Sequence, residues 1–152
     1  MNIVLLEPEI PQNTGAIGRT CLSAGAGLHL IHPLGFFLDE KSLKRSGLDY
    51  WPRLNVREYD NFAHFVECNP GIRFHLVETN GGVLYNEAEY KPGDFLIFGS
   101  EKPGLPTWLL EEYPQHIVRI PMMWDERSLN LSVAVGIVLY EALRQNFFAG
   151  LR

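Results

Sequence analysis

Two glycines in residues 11–20, directly after the first apolar run of the chain, are the first indication of a binding site. The segment reads PQNTGAIGRT and has a helical pattern, in which each glycine costs about 1 kcal/mol relative to alanine. Their presence predicts that either a ligand or a neighbouring element comes close to this backbone. Tight packing of the helix against a sheet explains the glycines equally well.

Two later segments have the composition of ligand-binding loops. Residues 98–106 (FGSEKPGLP) follow an apolar run, and Gly99 would let a ligand reach backbone amides at the carboxyl edge of a sheet, where ligands of open α/β folds bind. Residues 120–132 (IPMMWDERSLNLS) lead into an apolar helix, for which Ser128 is the predicted N-cap. Free amides at such a helix start suit a polar or anionic group. An ordinary loop with a solvated Glu101 and a plain helix cap are the alternatives.

The elements that would position these segments alternate along the chain. Short apolar runs predict strands at 3–6, 28–31, 72–77, 95–98 and 117–120, and the segments between and after them predict helices at 12–24, 41–46, 61–68, 107–113 and 129–148. This alternation favours an α/β fold, with a parallel sheet covered by helices on both faces. No repeat or long linker divides the chain, so we predict a single domain over residues 1–152.

The last predicted helix is apolar on nearly every face over residues 129–140. A helix of this kind is normally buried, and a small domain offers few elements that could bury it. The pattern therefore favours a homodimer. A helix covered only by its own sheet is the alternative.

Composition narrows the class of protein. With 46% hydrophobic and 20% charged residues, the 152-residue chain can bury a full core. No apolar run reaches the roughly 18 residues of a membrane helix, and the N-terminus lacks signal-peptide features, so we expect a cytoplasmic protein with no membrane partner. Cys21 and Cys68 form no CxxC pair and the histidines lack metal-ligand spacing, so we expect two buried cysteines and no metal.

Common signatures of other enzymes are missing from the sequence. It contains no GxxxxGK[ST] phosphate loop, no GxGxxG after the first strand, no GxSxG elbow and no HExxH helix. These absences argue against a P-loop NTPase, an ordinary dinucleotide-binding enzyme and the corresponding hydrolases.

Taken together, the three segments closely resemble the three signature motifs of the SPOUT class of RNA methyltransferases. The similarity is greatest to the small tRNA 2′-O-methyltransferases of that class that act on the wobble nucleotide (cytidine or uridine). It runs from Met1 to the end of the last predicted helix and includes residues 7–15 (EPEIPQNTG) and 47–50 (GLDY). The resemblance implies a C-terminal trefoil knot, which is a rare feature of protein folds. It also implies a homodimer with its active site at the subunit interface, S-adenosylmethionine as methyl donor, S-adenosylhomocysteine as product, and tRNA as partner.

The resemblance further implies roles for individual residues. Arg19 would have the leading catalytic role, with Asn13, Glu101 and Asn130 from the three motifs and Tyr140 from the last helix. The cofactor pocket would be formed, largely through backbone, by Leu76, Val77, Gly99, Gly104, Ile120, Met122, Ser128 and Leu129. Two acidic stretches, Glu78 and residues 124–126 (WDE), depart from the relatives and leave nucleotide preference open.

The chemistry of such a reaction restricts the part that Arg19 can play. The sulfonium methyl group is already electrophilic, so the difficulty is to orient a weakly acidic ribose hydroxyl and ease the loss of its proton. Arginine holds its own proton too tightly to be a good base. We therefore favour electrostatic activation, in which Arg19 stabilises the developing alkoxide or holds a phosphate that takes the proton.

A local basic cluster is the candidate RNA-binding surface. A net charge of −5 argues against a protein that coats nucleic acid, but residues 41–57 carry five basic side chains against one acidic one. Tyr50 and Trp51 would stack on an unpaired base. We predict RNA contacts from Lys41, Lys44, Arg45 and Arg53. A solvated loop with incidental charges is the alternative.

Three other functions stay open at this point. The chain could be a SPOUT ribose methyltransferase that acts on ribosomal RNA or another tRNA position. It could be a catalytically silent RNA-binding module, although Arg19, Asn13 and Glu101 together argue against this. It could also be a nucleotide-binding α/β enzyme with another cofactor, which the missing glycine fingerprint disfavours.

Overall fold

A computed structural model describes residues 1–37 and 50–152 of the chain, and its strands all belong to one sheet. The strands are β1 (Asn2–Leu6), β2 (Gly27–Ile31), β3 (Val56–Tyr59), β4 (Phe74–Val77), β5 (Val83–Leu84), β6 (Phe95–Phe98) and β7 (Ile117–Arg119). Their order in the sheet is β3-β2-β1-β6-β4-β7-β5, and every neighbouring pair is parallel. The predicted parallel α/β fold is thus confirmed.

Four α-helices accompany the sheet within the described residues. They are α1 (Pro11–Ala24), α2 (Phe62–Cys68), α3 (Thr107–Glu112) and α4 (Leu131–Gln145), and short 3-10 helices lie at Trp51–Arg53 and Pro114–His116. These α-helices lie where the sequence predicts them, with ends shifted by up to three residues. The helix predicted at 41–46 lies outside the described residues.

Helices cover both faces of the sheet, as predicted from the alternation of elements. In β1, Ile3 and Leu5 point to one face, where they join a core cluster with residues of α1 and α4. Val4 and Leu6 point to the other face, in a second cluster that includes Phe65 of α2 and Leu109 of α3. The central strands are buried on both sides, which explains why they read as continuous apolar runs.

Close packing of a neighbouring element accounts for Gly18 of α1. A Cβ on Gly18 would lie 3.0 Å from side-chain atoms of both Trp51 and Leu54. The carbonyl oxygen of Gly15 accepts a hydrogen bond from the Tyr50 hydroxyl. Of the two explanations that the sequence leaves open, close packing of a neighbouring element is the one observed at Gly18.

Several predictions about local structure are wrong. The edge strands β3 and β5 were not predicted, and Asn130, not Ser128, is the N-cap of α4, because its side-chain oxygen accepts from the Ser132 amide at 2.9 Å. Cys21 is buried, which raises the pKa of its thiol to about 12, but Cys68 is exposed rather than buried.

Helix α4 is buried on one side only. Its buried residues face the sheet and α1, whereas Val133 and Tyr140 are each almost half exposed. The single chain therefore leaves an apolar stripe of this helix at the surface, and the burial of that stripe by a second subunit stays a prediction. In the part of the chain that the structure describes, no helix is long and apolar enough to cross a membrane.

Candidate active site

The carboxyl ends of four adjacent strands, β1, β6, β4 and β7, surround a cavity. This cavity has a volume of about 820 Å³, and its walls come from the segments that follow those strands together with the first turn of α4. The size is that of a pocket for a small organic molecule, and the carboxyl edge is where open α/β sheets bind their ligands.

Seven of the eight residues predicted to contact a cofactor line this cavity. They are Val77, Gly99, Gly104, Ile120, Met122, Ser128 and Leu129. The eighth, Leu76, is fully buried in the second core cluster, on the other face of the sheet. Only its backbone is therefore left for the predicted contact.

The loop after β6 is folded tightly back on itself. A Cβ on Gly99 would lie 2.0 Å from the carbonyl carbon of Gly104, so no side chain fits there. Ser100 and Gly104 form an antiparallel bridge, and Gly104 has a φ of +71°, a conformation that favours glycine. Glycine is therefore required at both positions to form this wall of the cavity.

Glu78 lies on the cavity wall and braces the same loop. Its Oε2 accepts a hydrogen bond from the Leu105 amide at 3.2 Å, and its Oε1 accepts from the Thr79 amide at 2.7 Å. From the sequence, we expected this carboxylate to lie near the cofactor loop but could assign it no role. In the structure it holds the loop after β6 against the end of β4.

The side chain of Glu101 ties the same loop to the segment that follows β1. Its Oε2 accepts from the Glu9 amide at 2.8 Å, and its Oε1 accepts from the Ile10 amide at 3.1 Å and from Asn13 Nδ2 at 3.0 Å. All three donors precede or open α1. Since Glu101 is occupied in this way, we interpret it as a positioning residue.

The network continues from Asn13 to the start of α4. The Oδ1 of Asn13, a buried side chain, accepts from Asn130 Nδ2 at 3.0 Å. Asn130 Oδ1 in turn accepts from the Ser132 amide and, at 2.6 Å, from the Ser132 hydroxyl. One chain of hydrogen bonds thus joins the three segments that the sequence singled out, at the rim of the cavity that Asn13, Glu101 and Asn130 all line.

Arg19 and Tyr140 do not join this group within the single chain. Arg19 is exposed on another face of α1, with its guanidinium carbon 4.9 Å from the centre of the Tyr50 ring. Tyr140 is 44% exposed on α4. Neither residue lines the cavity. The predicted catalytic residues therefore fall into two sets, one at the cavity and one at the surface.

The predicted RNA-binding residues are only partly covered by the structure. Lys41, Lys44 and Arg45 lie outside the described residues. Arg53 is exposed, as an RNA contact requires. The idea that Tyr50 stacks on a base is wrong for this chain, because that ring is only 3% exposed.

Trp51 is half-buried, since it packs against the first core cluster. Its ring lies beside Gly18 of α1. This packing leaves only part of its surface for the predicted stacking on a base.

Two basic residues on the cavity wall, Lys102 and Arg127, were missed by the sequence reasoning. Both stand beside residues that were predicted, so the motif itself was the available signal. Together with Glu78 and Glu101 they give the cavity both signs of charge, next to apolar walls that include Phe98 and other side chains. Such a lining suits a ligand with a flat ring, a cation and a carboxylate.

These features define a class of protein: an open parallel α/β fold with a ligand cavity at the carboxyl ends of its strands. The cavity is bounded by the loop after β6, which contains Gly99 and Gly104, and by the hydrogen-bonded network at its rim.

Residues 1–140 match the family model of the SpoU rRNA Methylase family, and the chain belongs to that family. It is 45% identical over 157 residues to a tRNA (cytidine(34)-2′-O)-methyltransferase of Photorhabdus asymbiotica, covering 99% of this chain and 96% of the relative.

Solved structures agree with this assignment. A structure described as giving insights into the 2-OH methylation of C/U34 on tRNA is 47% identical, with a TM-score of 0.89 over 96% of this chain and 95% of the other. An AdoMet-bound rRNA methyltransferase from Sinorhizobium meliloti is 31% identical, with a TM-score of 0.80. That match covers 94% of this chain but 55% of the other chain.

Proposed function

We propose that the protein transfers a methyl group from S-adenosylmethionine to the ribose 2′-hydroxyl of the wobble nucleotide, residue 34, of tRNA. The observation that carries the proposal is the hydrogen-bonded chain from Glu101 through Asn13 to Asn130, which joins three separate segments beside the cavity. Relatives with about the same length and 45% identity carry this activity in their names.

The residues of the cavity fit the methyl donor. Gly99 leaves no room for a side chain and brings backbone to the wall, as a bound nucleoside requires. The carboxylates of Glu78 and Glu101 suit a positively charged ligand, and Val77, Ile120 and Leu129 supply apolar surface. These residues would hold S-adenosylmethionine, which supplies an electrophilic methyl group when bound.

The main contribution of the protein to this reaction is to position the two substrates. The ribose oxygen would take the methyl group that the bound donor supplies, which would leave S-adenosylhomocysteine, and its hydroxyl proton would pass to an RNA phosphate or to water. Asn13 and Asn130 hold the loops at the rim in one arrangement, which lowers the entropic cost of alignment. A cation near the ribose oxygen would favour the departure of its proton.

We propose that this cation is Arg19 of the partner subunit in a homodimer. Two observations support the proposal: Arg19 is exposed away from the cavity of its own chain, and α4 carries an exposed apolar stripe that includes Val133 and Tyr140. A second copy packed on the stripe would bury it and complete the site. Light scattering should give about twice the 17.3 kDa chain mass.

Val133→Glu should lower the mass measured by light scattering towards that of the monomer. The far-UV circular dichroism spectrum should stay unchanged, because Val133 is about half exposed and its loss leaves the core intact. A wild-type monomer with full activity would contradict the shared site.

Ribosomal RNA is the second candidate substrate, because the family description and the Sinorhizobium relative both refer to it. That relative is nearly twice as long as the matched region, whereas the tRNA enzyme from Photorhabdus matches over almost its full length. The size relationship favours tRNA. We further propose that residues 1–152 act as one domain and that the protein works in the cytoplasm.

One experiment tests the proposed function. The pure protein is incubated with S-adenosylmethionine carrying a labelled methyl group, first with bulk tRNA and then with ribosomal RNA, and the labelled nucleotide is mapped. We expect label at the ribose of residue 34, and none in a tRNA that carries a 2′-deoxy nucleotide there. Label only in ribosomal RNA, or at another tRNA position, would contradict the proposal. A chelator in the buffer tests the prediction that no metal is needed.

A further inference from the structure

A groove between α2 and α3 lies on the face of the sheet that carries the second core cluster. It has a volume of about 750 Å³, and its lining comes from these two helices, from the end of β1 and from the loop after β6. Helices α1 and α4 pack on the other face of the sheet. The dimer contact proposed on α4 therefore does not use this groove, and another molecule has to be considered as its occupant.

The groove presents an aromatic and apolar surface to solvent. Trp108 of α3 is 49% exposed, although the edge of its ring packs against Phe62 of α2 with the ring centres 5.5 Å apart. Val66, one turn beyond Phe62, is 44% exposed and also lines the groove. The contact with Phe62 holds the indole in place, so a ligand would meet a positioned aromatic ring beside an apolar side chain.

The charge of the groove has one sign. Among the described residues that line it, the charged side chains are all carboxylates, namely Glu7, Glu67 and Glu112. No ion pair found within residues 1–37 and 50–152 includes any of these three. Lys102, next to the lining residue Pro103, lines the cofactor cavity instead. The groove therefore attracts cations.

Glu7 is placed at the groove by an unusual backbone conformation. Its φ of +52° lies in the left-handed region, which is uncommon for side chains other than those of asparagine and aspartate. The Glu7 amide donates to the Ile31 carbonyl at 2.9 Å, which fixes the turn after β1. The turn itself would suit glycine, yet this position carries an exposed carboxylate. The carboxylate is not needed for the turn, so its charge is available to a ligand.

Aromatic surface beside carboxylates is a combination that recognises a guanidinium group. A guanidinium stacks on an indole ring while its N–H groups donate to carboxylates. Trp108 and Glu112 are four residues apart on α3, so they share one face of that helix. RNA phosphates are repelled by the carboxylates, which excludes the proposed substrate as the occupant. The exposed apolar surface also favours a polypeptide over a polyamine, because a polypeptide brings apolar side chains with its cations.

We propose that the groove between α2 and α3 binds an arginine-bearing basic segment of a partner protein. One guanidinium stacks on Trp108 and pairs with Glu112, and Glu7 and Glu67 attract the other cations of the segment. Apolar side chains of the same segment pack on Val66. The site is separate from the proposed RNA surface, and it connects the protein to another protein.

The test is calorimetry of the full chain with a capped six-residue peptide in which arginine and leucine alternate. The control peptide carries citrulline in place of each arginine, which keeps the shape and removes the charge. The arginine peptide should bind at one site, at least about 10-fold more tightly than the citrulline peptide, and added salt should weaken its binding. Equal affinity for the two peptides would overturn the proposal.

Variants locate the bound peptide. Trp108→Ala should weaken binding of the arginine peptide by about 3-fold or more, and Glu67→Gln with Glu112→Gln by about 10-fold. The glutamine pair replaces exposed side chains, so it stays informative even where Trp108→Ala disturbs the packing on Phe62. Wild-type affinity in the glutamine pair would place the peptide elsewhere and reject the site.

The matched controls remove the same groups outside the groove. Glu111→Gln neutralises the neighbouring carboxylate of α3, and Trp124→Ala removes a fully exposed indole; neither residue lines the groove. Both variants should bind the peptide within about 2-fold of wild type. Losses as large as those of the groove variants would mean that the peptide responds only to the net charge of −5, which would overturn the proposal.

Two further measurements separate this site from other functions. Spermidine should bind more weakly than the arginine peptide, and tighter binding of spermidine would identify a polyamine site and overturn the proposal. Methylation of tRNA should be unchanged in the glutamine pair, because neither residue lines the cofactor cavity. The peptide titrations contain no tRNA and no methyl donor, so failure of the proposed function would leave their outcome unaffected.

Discussion

Replacement of Glu101 by alanine is the most direct test of the network that joins the three segments. The change removes the acceptor of three hydrogen bonds, from two backbone amides and from Asn13. At about 1 kcal/mol of net stabilisation for each bond, and with some replacement by water at this half-buried position, we expect a loss of about 2 kcal/mol in the free energy of unfolding.

Glu101→Gln should cost less than the alanine variant. The amide oxygen can take the place of Oε1 and keep two of the bonds, but its NH2 group then faces the Glu9 amide, another donor. One bond is lost, for a cost of about 1 kcal/mol. Urea unfolding followed by circular dichroism measures both values.

Glu101→Ala should lower enzymatic activity by more than the loss of folding stability accounts for. With Glu101→Ala, the amide of Asn13 loses its anchor and the loops at the rim gain freedom, so kcat/KM should fall by about 10-fold or more. In an Asn13→Ala background, the further cost of Glu101→Ala should be smaller by about 1 kcal/mol, which is the coupling between contacting residues.

The control for this series is Glu67→Ala, which removes an exposed carboxylate from α2 and should change stability by less than about 0.5 kcal/mol. A Glu101→Ala protein as stable and as active as wild type would refute the reasoning. So would a glutamine variant that is as damaged as the alanine variant, because the argument depends on the number of bonds retained.

Three further predictions concern charge. Burial, and to a lesser extent the charge of Arg57, lowers the pKa of His29 to about 4, below its unfolded value of 6.5. The full free energy of unfolding is therefore present above pH 6.5 and decreases as the pH is lowered, because the unfolded chain binds a proton that the folded chain excludes. Between pH 7.5 and pH 5 the loss should be about 2 kcal/mol, and urea titrations of His29→Gln should lack this part of the pH dependence. Arg19→Ala should lower kcat/KM at least about 100-fold, whereas calorimetry should show unchanged affinity for S-adenosylmethionine; unchanged turnover would mean that another residue activates the ribose. Neutralising Lys44 and Arg45 together should weaken tRNA binding. The slope of the logarithm of the tRNA binding constant against the logarithm of the salt concentration should become smaller by about one for each lost phosphate contact. An unchanged slope would mean that the RNA contacts another surface.

The sequence was sufficient to predict the centre of the sheet but not its edges. The central strands are buried on both faces, so they read as apolar runs, whereas β3 (VREY) carries two exposed charged residues and β5 has only two residues. Both lie at the edges of the sheet, where one side of the strand has no neighbour to bury it. Pattern alone therefore gave no signal for them.

The sequence predicted part of the lining of the candidate site but not the hydrogen bonds that connect it. Asn13, Glu101 and Asn130 were singled out, but a hydrogen bond between residues 117 positions apart follows from the packing of α1 against α4 and has no local signature. The wrong N-cap has a similar origin. Both Ser128 and Asn130 are good caps, and the choice depends on where the helix starts.

The distribution of the site along the chain decides when it can form during synthesis. Strand β1 pairs with β6, whose residues are about 90 positions later, and Asn130 completes the rim later still. A growing chain that has left the ribosome only as far as β4 lacks the neighbour that joins β1 to β4, and it has neither the glycine loop nor the last contact to Asn13. Long-range parallel pairing of this kind slows folding, so we expect the protein to acquire its sheet and its methyl-donor cavity together and late, only after nearly the whole chain has been made.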